Sequence, residues 1–321
     1  MYLIAEIGFN HNGDIELAKD MIHAASESGA DAVKFQTFRA SDIALPSSAH
    51  YHLIKKGELD LKDHELLFET AKKSGIEFLS TPFSQRSADL LNQVGVSAFK
   101  IASMDCTNRP FLEYIACFGK PVYLSTGMAD LYEIAESLNC LNAAGCKQLF
   151  LLHCISHYPP KAKDLNLDVI PFLKHLFNLP VGYSDHYPGI EACFAAAIKG
   201  AEVIETHFTL DNTQEGGDHF HSATPEELKT LRQRIDLFYA MSGSRQAIYD
   251  RPDRICKDDF RRGVYAQQDL KKGDTLSVND LFCTRPPNEF TPNDINFLIG
   301  KILKRDIPLN HPITGLSIFS G

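Results

Sequence analysis

The stretch that decides the fold is LIAEIGFNHNGDIELAKDMIHAASESGADAVKFQTF (3–38). A short apolar run ends at Gly8, a segment with apolar residues at helical spacing ends at Gly29, and a second β-like run begins at Ala32. A glycine just after a helix is a common C-cap. An apolar run, an amphipathic helix and another apolar run together predict a βαβ unit with parallel strands.

The same rhythm continues over residues 1–245. Eight β-like runs occur there, and they are Leu3–Gly8, Ala32–Phe38, Glu77–Phe83, Ala98–Ser103, Pro121–Gly127, Gln148–Cys154, Pro180–His186 and Val203–Thr209. Eight parallel strands, each followed by a helix, predict an α/β fold of the TIM (βα)8-barrel type. A doubly wound open sheet is the alternative, but no GxGxxG motif follows the first run.

The C-terminal part of the chain changes character. Residues 246–262 are polar and rich in Arg and Asp, which predicts a linker. Residues 263–321 have hairpin-like Gly and Asn positions and little helical periodicity, which predicts a small β-rich domain. A module of this size has little room for an independent core, so we expect it to pack on a barrel, its own or a partner's.

Composition excludes several classes of protein. Hydrophobic residues make up 44% of the 321 residues and charged residues 23%, as in soluble globular proteins. The net charge of −9 argues against sequence-independent nucleic-acid binding, which needs a basic surface. The opening MYLIAEIG predicts no signal peptide, and no apolar run approaches the roughly 18 residues of a membrane span. The eight cysteines form no CxxC pair, so we expect reduced thiols in a cytoplasmic protein without a membrane partner.

Histidines at two predicted strand ends mark a candidate metal site, because barrel enzymes carry their active sites at the C-terminal ends of the strands. Alternation places Glu205 and His207 on one face of the eighth run, and His186 ends the seventh. Two inward imidazoles with carboxylate and water neighbours suit Mn²⁺, Mg²⁺ or another borderline cation. One structural and one surface histidine would explain the same pattern equally well.

Two lysines lie inside otherwise apolar runs. Lys34 shares a face with Gln36 in the second run, and Lys100 lies within FKIAS in the fourth. A buried ammonium group is costly unless it meets an anion. In a regular strand Lys100 and Ser103 would point to opposite faces, so both reach the site only if the end of the strand bends.

Short hydroxyl side chains end two further runs, in Ser80-Thr81-Pro82 and Ser125-Thr126-Gly127. Together with the lysines they predict a pocket for phosphate or carboxylate oxygens, although such sequences also occur in ordinary turns. The loop after the eighth run, DNTQEGGDHFHS (211–222), could close over a substrate. Asp218 is a candidate for binding sugar hydroxyls or assisting proton transfer, whereas we interpret His219 and His221 as part of an exposed polar loop.

Taken in order, these motifs resemble the sialic acid synthase family, which includes the N-acetylneuraminate, pseudaminic acid and legionaminic acid synthases. The matching segments are AEIGFNHNG (5–13), KFQ (34–36), STPF (80–83), KIAS (100–103), STGM (125–128), LHCISHYP (152–159), GYSDH (182–186) and IETHFT (204–209). The tail resembles the family's antifreeze-like (SAF, β-clip) domain in RRGVYAQQDLKKGD, RP and IGKILKRDI. The resemblance covers essentially the whole chain.

The resemblance implies condensation of phosphoenolpyruvate with an amino-sugar aldehyde to give a nonulosonic acid. His186 and His207 would bind the metal, Mn²⁺ first, with Mg²⁺ or Co²⁺ as substitutes. The residues implied for phosphoenolpyruvate binding are Lys34, Gln36, Thr81, Lys100, Ser103, Ser125 and Ser184. Those implied around the metal and reacting carbons are Glu6, Glu205 and Asp218, and those implied for the sugar are Tyr158, Asp218 and Arg285.

Arg285 is implied to act across the interface of a homodimer whose small domains are swapped. The chain departs from the family pattern in GGDHFHS (216–222) and RPPNEF (285–290), which both touch the sugar side. The acceptor therefore stays open among N-acetylmannosamine, its 6-phosphate and a diacetamido-trideoxyhexose.

Other functions fit parts of the pattern. A barrel aldolase that forms a Schiff base on Lys100 would be trapped by borohydride and would be insensitive to EDTA. Enzymes making 3-deoxy-octulosonate or heptulosonate phosphates use the same donor, although the C-terminal module argues against them. An inactive barrel that carries a ligand- or ice-binding tail would be expected to lack the polar residues at the strand ends.

Overall fold

The first part of the chain is a closed barrel of parallel strands. The computed structural model describes residues 1–48, 51–214 and 217–319. Within them the barrel strands are β1 (Tyr2–Gly8), β2 (Ala32–Thr37), β3 (Glu77–Pro82), β4 (Phe99–Ile101), β5 (Val122–Ser125), β6 (Leu149–Cys154), β7 (Val181–Asp185) and β8 (Val203–His207). They hydrogen-bond in the order β3-β2-β1-β8-β7-β6-β5-β4. Because β3 and β4 at the two ends of this order also pack together, the sheet curls into the predicted (βα)8 fold.

At least one helix follows every barrel strand. The helices are α1 (Ile15–Glu27), α2 (Ala40–Ile43), α3 (Tyr51–Lys56), α4 (Leu61–Lys73), α5 (Gln85–Val94), α6 (Arg109–Ala116), α7 (Leu131–Ala143), α8 (Val169–Phe177), α9 (Glu191–Ile198) and α10 (Pro225–Ser242). The starts of α1, α4 and α7 are fixed by aspartate N-caps, Asp14, Asp60 and Asp130, whose carboxylates accept backbone N–H groups of the first turn.

Side-chain alternation divides the barrel interior into an apolar and a polar level. Ile4, Leu79, Leu152 and Val203 belong to a buried cluster inside the barrel, together with Ala32 and Ala98. The residues two positions further along β1, β2, β3, β4 and β8 are Glu6, Lys34, Thr81, Lys100 and Glu205. The polar level therefore lies at the carboxyl ends of the strands, as expected for a barrel enzyme.

Several strands are shorter than the sequence predicts. The fourth run was expected to reach Ser103, but β4 ends at Ile101 and Ser103–Asp105 forms a 3-10 turn. The eighth run was expected to reach Thr209, but β8 ends at His207. In both places the regular strand ends two residues before the end of the predicted run.

The chain divides into two compact units, Met1–Ser242 and Gly243–Gly321. The first ends with α10, three residues before the predicted boundary at 245. The predicted linker, 246–262, contains 3-10 turns and α11 (Lys257–Phe260).

The second unit has its own apolar core. Its antiparallel strands are β9 (Gly263–Ala266) and β10 (Leu281–Thr284), and its later helices are α12 (Ile295–Leu298) and α13 (Gly315–Ile318). Bridges such as Leu270↔Ile307 extend the pairing. Val264, Leu298 and Ile313 are fully buried in this core, so the module is better packed internally than its length suggested.

No helix long and apolar enough to cross a membrane occurs in residues 1–48, 51–214 or 217–319.

Candidate active site

Buried charged groups meet at the polar level of the barrel. Register pairs Glu6 with Lys34 on one side and with His207 on the other, and pairs Ser184 with Glu205. Lys34 Nζ lies 2.7 Å from Glu6 Oε2 and 3.7 Å from Glu205 Oε2. Lys100 Nζ lies 3.8 Å from Glu205 Oε1. Glu205 therefore lies between the two ammonium groups.

The proton affinities of this cluster follow from burial and from its neighbours. Burial raises the pKa of Glu6 to about 7, against the opposing effect of Lys34. Burial alone would also raise the pKa of Glu205, but Lys100 and Lys34 lower it below its usual value. Burial lowers the pKa of Lys100, whereas the two carboxylates raise that of Lys34 above its usual value. Glu205 is thus the permanent anion, and Glu6 can hold or release a proton near neutral pH.

Several hydroxyl groups line the same cavity as the two ammonium groups. Lys34 donates a 3.0 Å hydrogen bond to Thr81 Oγ1, and Ser184 Oγ donates at 2.8 Å to Glu205. Ser125 Oγ is buried and has no hydrogen-bond partner within the described ranges. A buried hydroxyl without a partner is costly, so Ser125 is suited to a substrate oxygen.

The two predicted hydroxyl clusters contribute one residue each to the cavity. Thr81 and Ser125 line it, but Ser80 faces outward to Thr37 Oγ1, 2.7 Å away, and Thr126 donates to the Leu152 carbonyl. Alternation within a strand allows only every second residue to face the interior.

Lys100 and Ser103 both line the cavity, although in a regular strand they would point to opposite faces. The 3-10 turn that begins at Ser103 supplies the bend that the sequence required. Ser103 Oγ accepts a hydrogen bond from Gly127 N–H at 3.1 Å. A Cβ at Gly127 would lie 2.3 Å from Ser156 Oγ and 2.7 Å from Ser103 Oγ, so only glycine allows this close approach.

The two predicted metal-binding histidines face each other. Their ring centroids are 5.4 Å apart, and both side chains are buried. His186 Nδ1 lies 2.8 Å from the Ile155 carbonyl, to which it can only donate, so Nε2 is left free as a ligand. Burial lowers the pKa of both rings, that of His207 well below its usual value, and keeps them neutral. Neutral imidazoles with a free nitrogen fit a divalent cation.

The loop after β8 brings two more groups, Asp218 and His221, to these rings. Ligand atoms of His207, Asp218 and His221 all lie within 4.8 Å of one another. The prediction that His219 and His221 lie in an exposed loop is wrong, because the two side chains are 1% and 2% exposed. The HxH pattern was visible in the sequence, but the polar composition of the loop predicted that both histidine side chains would be exposed to solvent.

Asp218 and Tyr158, two of the residues predicted to bind the sugar, line the cavity beside the histidines. Burial raises the pKa of Asp218 to about 6, and its Oδ2 lies 3.5 Å from His207 Nδ1. The Tyr158 ring stacks on His186 with a centroid distance of 4.1 Å.

The cavity is large enough for two small substrates. Its volume is about 570 Å³, and it is lined by all the predicted barrel site residues. Much of its lining is apolar, which sequence reasoning did not predict because these residues lie in loops after the strands and in α2 and α3. The apolar lining includes Phe9, Phe38, Ile43, Leu53, Ile54 and Phe83.

Arg285 belongs to the second unit. Its guanidinium carbon lies 5.3 Å from the centre of the Phe260 ring in the same unit. Its implied contact with the sugar stays a prediction.

Comparison with known proteins places the chain in a family. The NeuB family model matches residues 21–247, and the SAF domain model matches residues 261–317. The N,N'-diacetyllegionaminic acid synthase of Campylobacter jejuni is 42% identical over 95% of this chain and 96% of that protein. The pseudaminic acid synthase of the same species is 33% identical over 96% and 93%.

A solved structure agrees with these matches. The N-acetylneuraminic acid synthetase from Leptospira borgpetersenii, in complex with citrate, is 38% identical with a TM-score of 0.74, covering 76% of this chain and 85% of that one. A family model that spans most of the barrel, and synthases more than 30% identical over nearly the whole chain, show that this protein is an enzyme of the NeuB family with a C-terminal SAF domain.

Proposed function

We propose that this enzyme condenses phosphoenolpyruvate with the open-chain aldehyde of an N-acyl amino sugar and water, giving a nonulosonic acid and inorganic phosphate. The observation that carries the proposal is one buried cavity in which Lys34 and Lys100 lie beside Glu6, Glu205 and two neutral imidazoles. Lysines with hydroxyl neighbours suit the phosphate and carboxylate of the donor. The names of the relatives support a sugar-acid product.

In the proposed reaction, C3 of the donor bonds to the aldehyde carbon, and the aldehyde oxygen takes up a proton. Water adds at C2 and gives up one proton. The C2–O bond to the phosphate group then breaks to release inorganic phosphate, while the new C2 hydroxyl loses its proton and becomes the carbonyl of the product. Lys34, Lys100, Thr81, Ser103 and Ser125 would hold the anionic donor and offset its repulsion from an acidic protein. Glu6, with a pKa of about 7, and Asp218, with a pKa of about 6, are suited to move these protons.

We also propose that His186 and His207 hold a divalent cation. Mn²⁺ is the preferred candidate, and Mg²⁺ or Co²⁺ could substitute for it. A bound cation supplies Lewis-acid polarisation of a carbonyl oxygen. Support comes from the free Nε2 of His186 and from the orphaned, buried Nδ1 of His207. The rival aldolase has no use for these two groups.

For the acceptor we propose a diacetamido-trideoxyhexose without a phosphate. The N,N'-diacetyl product in the name of the 42% identical legionaminic acid synthase supports it. The apolar wall supports it as well, because a deoxy carbon and acetamido methyl groups can pack on Phe38 and Phe83, whereas a phosphate cannot.

The deciding experiment measures phosphate release from phosphoenolpyruvate with a panel of amino sugars, with and without Mn²⁺ after treatment with EDTA. We expect turnover with the diacetamido sugar, loss of turnover on chelation and recovery with Mn²⁺. Turnover that is indifferent to EDTA would contradict the proposed cation, and release with N-acetylmannosamine alone would contradict the acceptor.

We propose further that the enzyme acts as a cytoplasmic homodimer in which Arg285 of a second copy completes the sugar side. The large apolar side chains Ile248, Tyr249, Ile255 and Phe260 are more than half exposed in the single chain, which supports a covering partner. Light scattering should give twice the 35.8 kDa chain mass. Mixing inactive Arg285→Ala and His207→Ala proteins should restore turnover, because one mixed site would then be intact; no recovery after subunit exchange would contradict the swapped arrangement.

A further inference from the structure

The His221 imidazole is buried without any hydrogen-bond partner. Its side chain is 2% exposed, and neither Nδ1 nor Nε2 finds a partner in the part of the chain that the structure describes. A buried imidazole with both nitrogens unpaired is costly, because buried polar groups in folded proteins nearly always have a hydrogen-bond partner. The ring is therefore positioned for a group that the protein itself does not supply.

The surroundings of His221 indicate what that group is. Its ring centroid lies 4.9 Å from that of His207, and ligand atoms of these two residues and Asp218 lie within 4.8 Å of one another. The His186 ring centroid lies 5.4 Å from that of His207, and the Tyr158 ring contacts both His186 and His221. Neutral nitrogens and a carboxylate oxygen are the ligands of borderline divalent cations.

The short 3-10 turn His219–His221 aims only one of its two histidines at this cluster. His219 Nδ1 lies 2.8 Å from Thr209 Oγ1, and its Nε2 lies 3.4 Å from Asn12 Nδ2, so its ring is already occupied. Ser222 Oγ donates a 2.7 Å hydrogen bond to the Asp218 carbonyl and closes the turn. The turn is thus held with the His221 ring facing His207.

We propose that His221 is a third imidazole ligand of the cation that His186 and His207 would hold. The inference rests on the proposed function for the presence of a cation, but it adds a ligand that the sequence resemblance did not assign. Imidazole nitrogens suit Co²⁺ and Zn²⁺, whereas Mg²⁺ prefers oxygen ligands, so a site with three nitrogens should bind Co²⁺ and Zn²⁺ more tightly than Mg²⁺.

The test uses the full-length protein freed of metal with a chelator. Co²⁺ is titrated into the wild type, His221→Ala and His219→Gln, following heat release and visible absorption. We expect His221→Ala to weaken Co²⁺ binding at least about 10-fold and to change the ligand-field bands, because a nitrogen ligand is replaced by water. His219→Gln is the matched control from the same turn and should keep the wild-type spectrum.

Two further variants separate this inference from the proposed function. If the wild type takes up no Co²⁺, or if His186→Ala and His207→Ala bind it normally, the proposed cation site itself is wrong. If those two variants lose binding while His221→Ala keeps the wild-type affinity and spectrum, only the third ligand is overturned. Should His221→Ala fail to fold, pulsed EPR of Mn²⁺ in the wild type counts coordinated imidazoles directly: three support the inference and two overturn it.

Discussion

Asn10 and Asp218, 208 residues apart in the chain, are joined by a 2.8 Å hydrogen bond in which the Asp218 backbone N–H donates to Asn10 Oδ1. Asn10 Nδ2 also donates to the Phe208 carbonyl at 3.1 Å and to Ser222 Oγ at 3.0 Å. One buried amide of the β1–α1 loop thus holds both ends of the loop that carries Asp218 and His221. This side chain therefore links the loop after β1 to the loop after β8.

Replacing Asn10 by alanine should loosen that loop while the barrel stays folded. Three hydrogen bonds are lost and the groups left unpaired cost about 1–3 kcal/mol each where they stay buried, so we expect a lower Tm and a higher KM for the acceptor sugar. The KM for phosphoenolpyruvate should change less, because Lys34 and Lys100 lie on strands. Steady-state kinetics with each substrate varied in turn measures the difference. Asn10→Asp keeps an acceptor for the Asp218 N–H, so its Tm and its KM for the acceptor sugar should lie between those of the wild type and Asn10→Ala. Equal effects of Asn10→Ala on the KM values of both substrates would contradict the assignment.

The site residues that could be predicted from the sequence are those that lie on strands. Glu6, Lys34, Lys100, Glu205 and His207 follow from the alternation of strands and the barrel rule, and the structure places all of them in one cavity. Periodicity determines which way these side chains point, whatever the details of packing.

The loop residues could not be predicted in the same way. Asn10 and His221 lie in polar loops, where composition indicates solvent, yet both side chains are buried. Their burial results from contacts between loops that follow strands at opposite ends of the barrel sequence, and no local pattern encodes that contact. The apolar wall was missed as well, because Phe9, Leu53 and Phe83 lie in the segments that follow β1, β2 and β3 and meet only when these neighbouring strands pair.

Replacing Glu205 by glutamine should destabilise the protein strongly. Lys34 and Lys100 would lose the anion between them, and removing one partner of a buried ion pair costs about 3–5 kcal/mol. Chemical denaturation of the metal-free protein measures the loss. Glu202→Gln is the control, because Glu202 forms an exposed ion pair with Lys174 at 2.6 Å and should cost no more than about 1 kcal/mol. Similar losses for the two variants would mean that the buried cluster is not ionised as described.

The raised pKa of Glu6 should make stability depend on pH. The pKa is about 7 in the folded chain and 4.5 for an ordinary glutamate, so the folded state binds the proton more tightly. The stabilisation is complete below the lower value and is lost as pH rises through the higher one. We therefore expect the free energy of unfolding of the wild type, relative to Glu6→Gln, to fall between about pH 5 and about pH 8. Denaturant titrations at several pH values test this, and parallel profiles for the two proteins would contradict it.

Lys100 distinguishes the proposed reaction from a Schiff-base aldolase. Burial lowers the pKa of its ammonium group, a property that would also suit a nucleophilic amine, so the distinction needs an experiment. If Lys100 binds the donor as a cation, Lys100→Met should lower kcat/KM for phosphoenolpyruvate by about 10- to 100-fold, as expected for the loss of one charged hydrogen bond. Borohydride added to the turning-over wild type should then leave its mass unchanged. A covalent adduct on Lys100 in the mass spectrum would instead assign the lysine as the nucleophile, and Lys34→Met, which removes the neighbouring cation without removing Lys100, should leave that adduct in place.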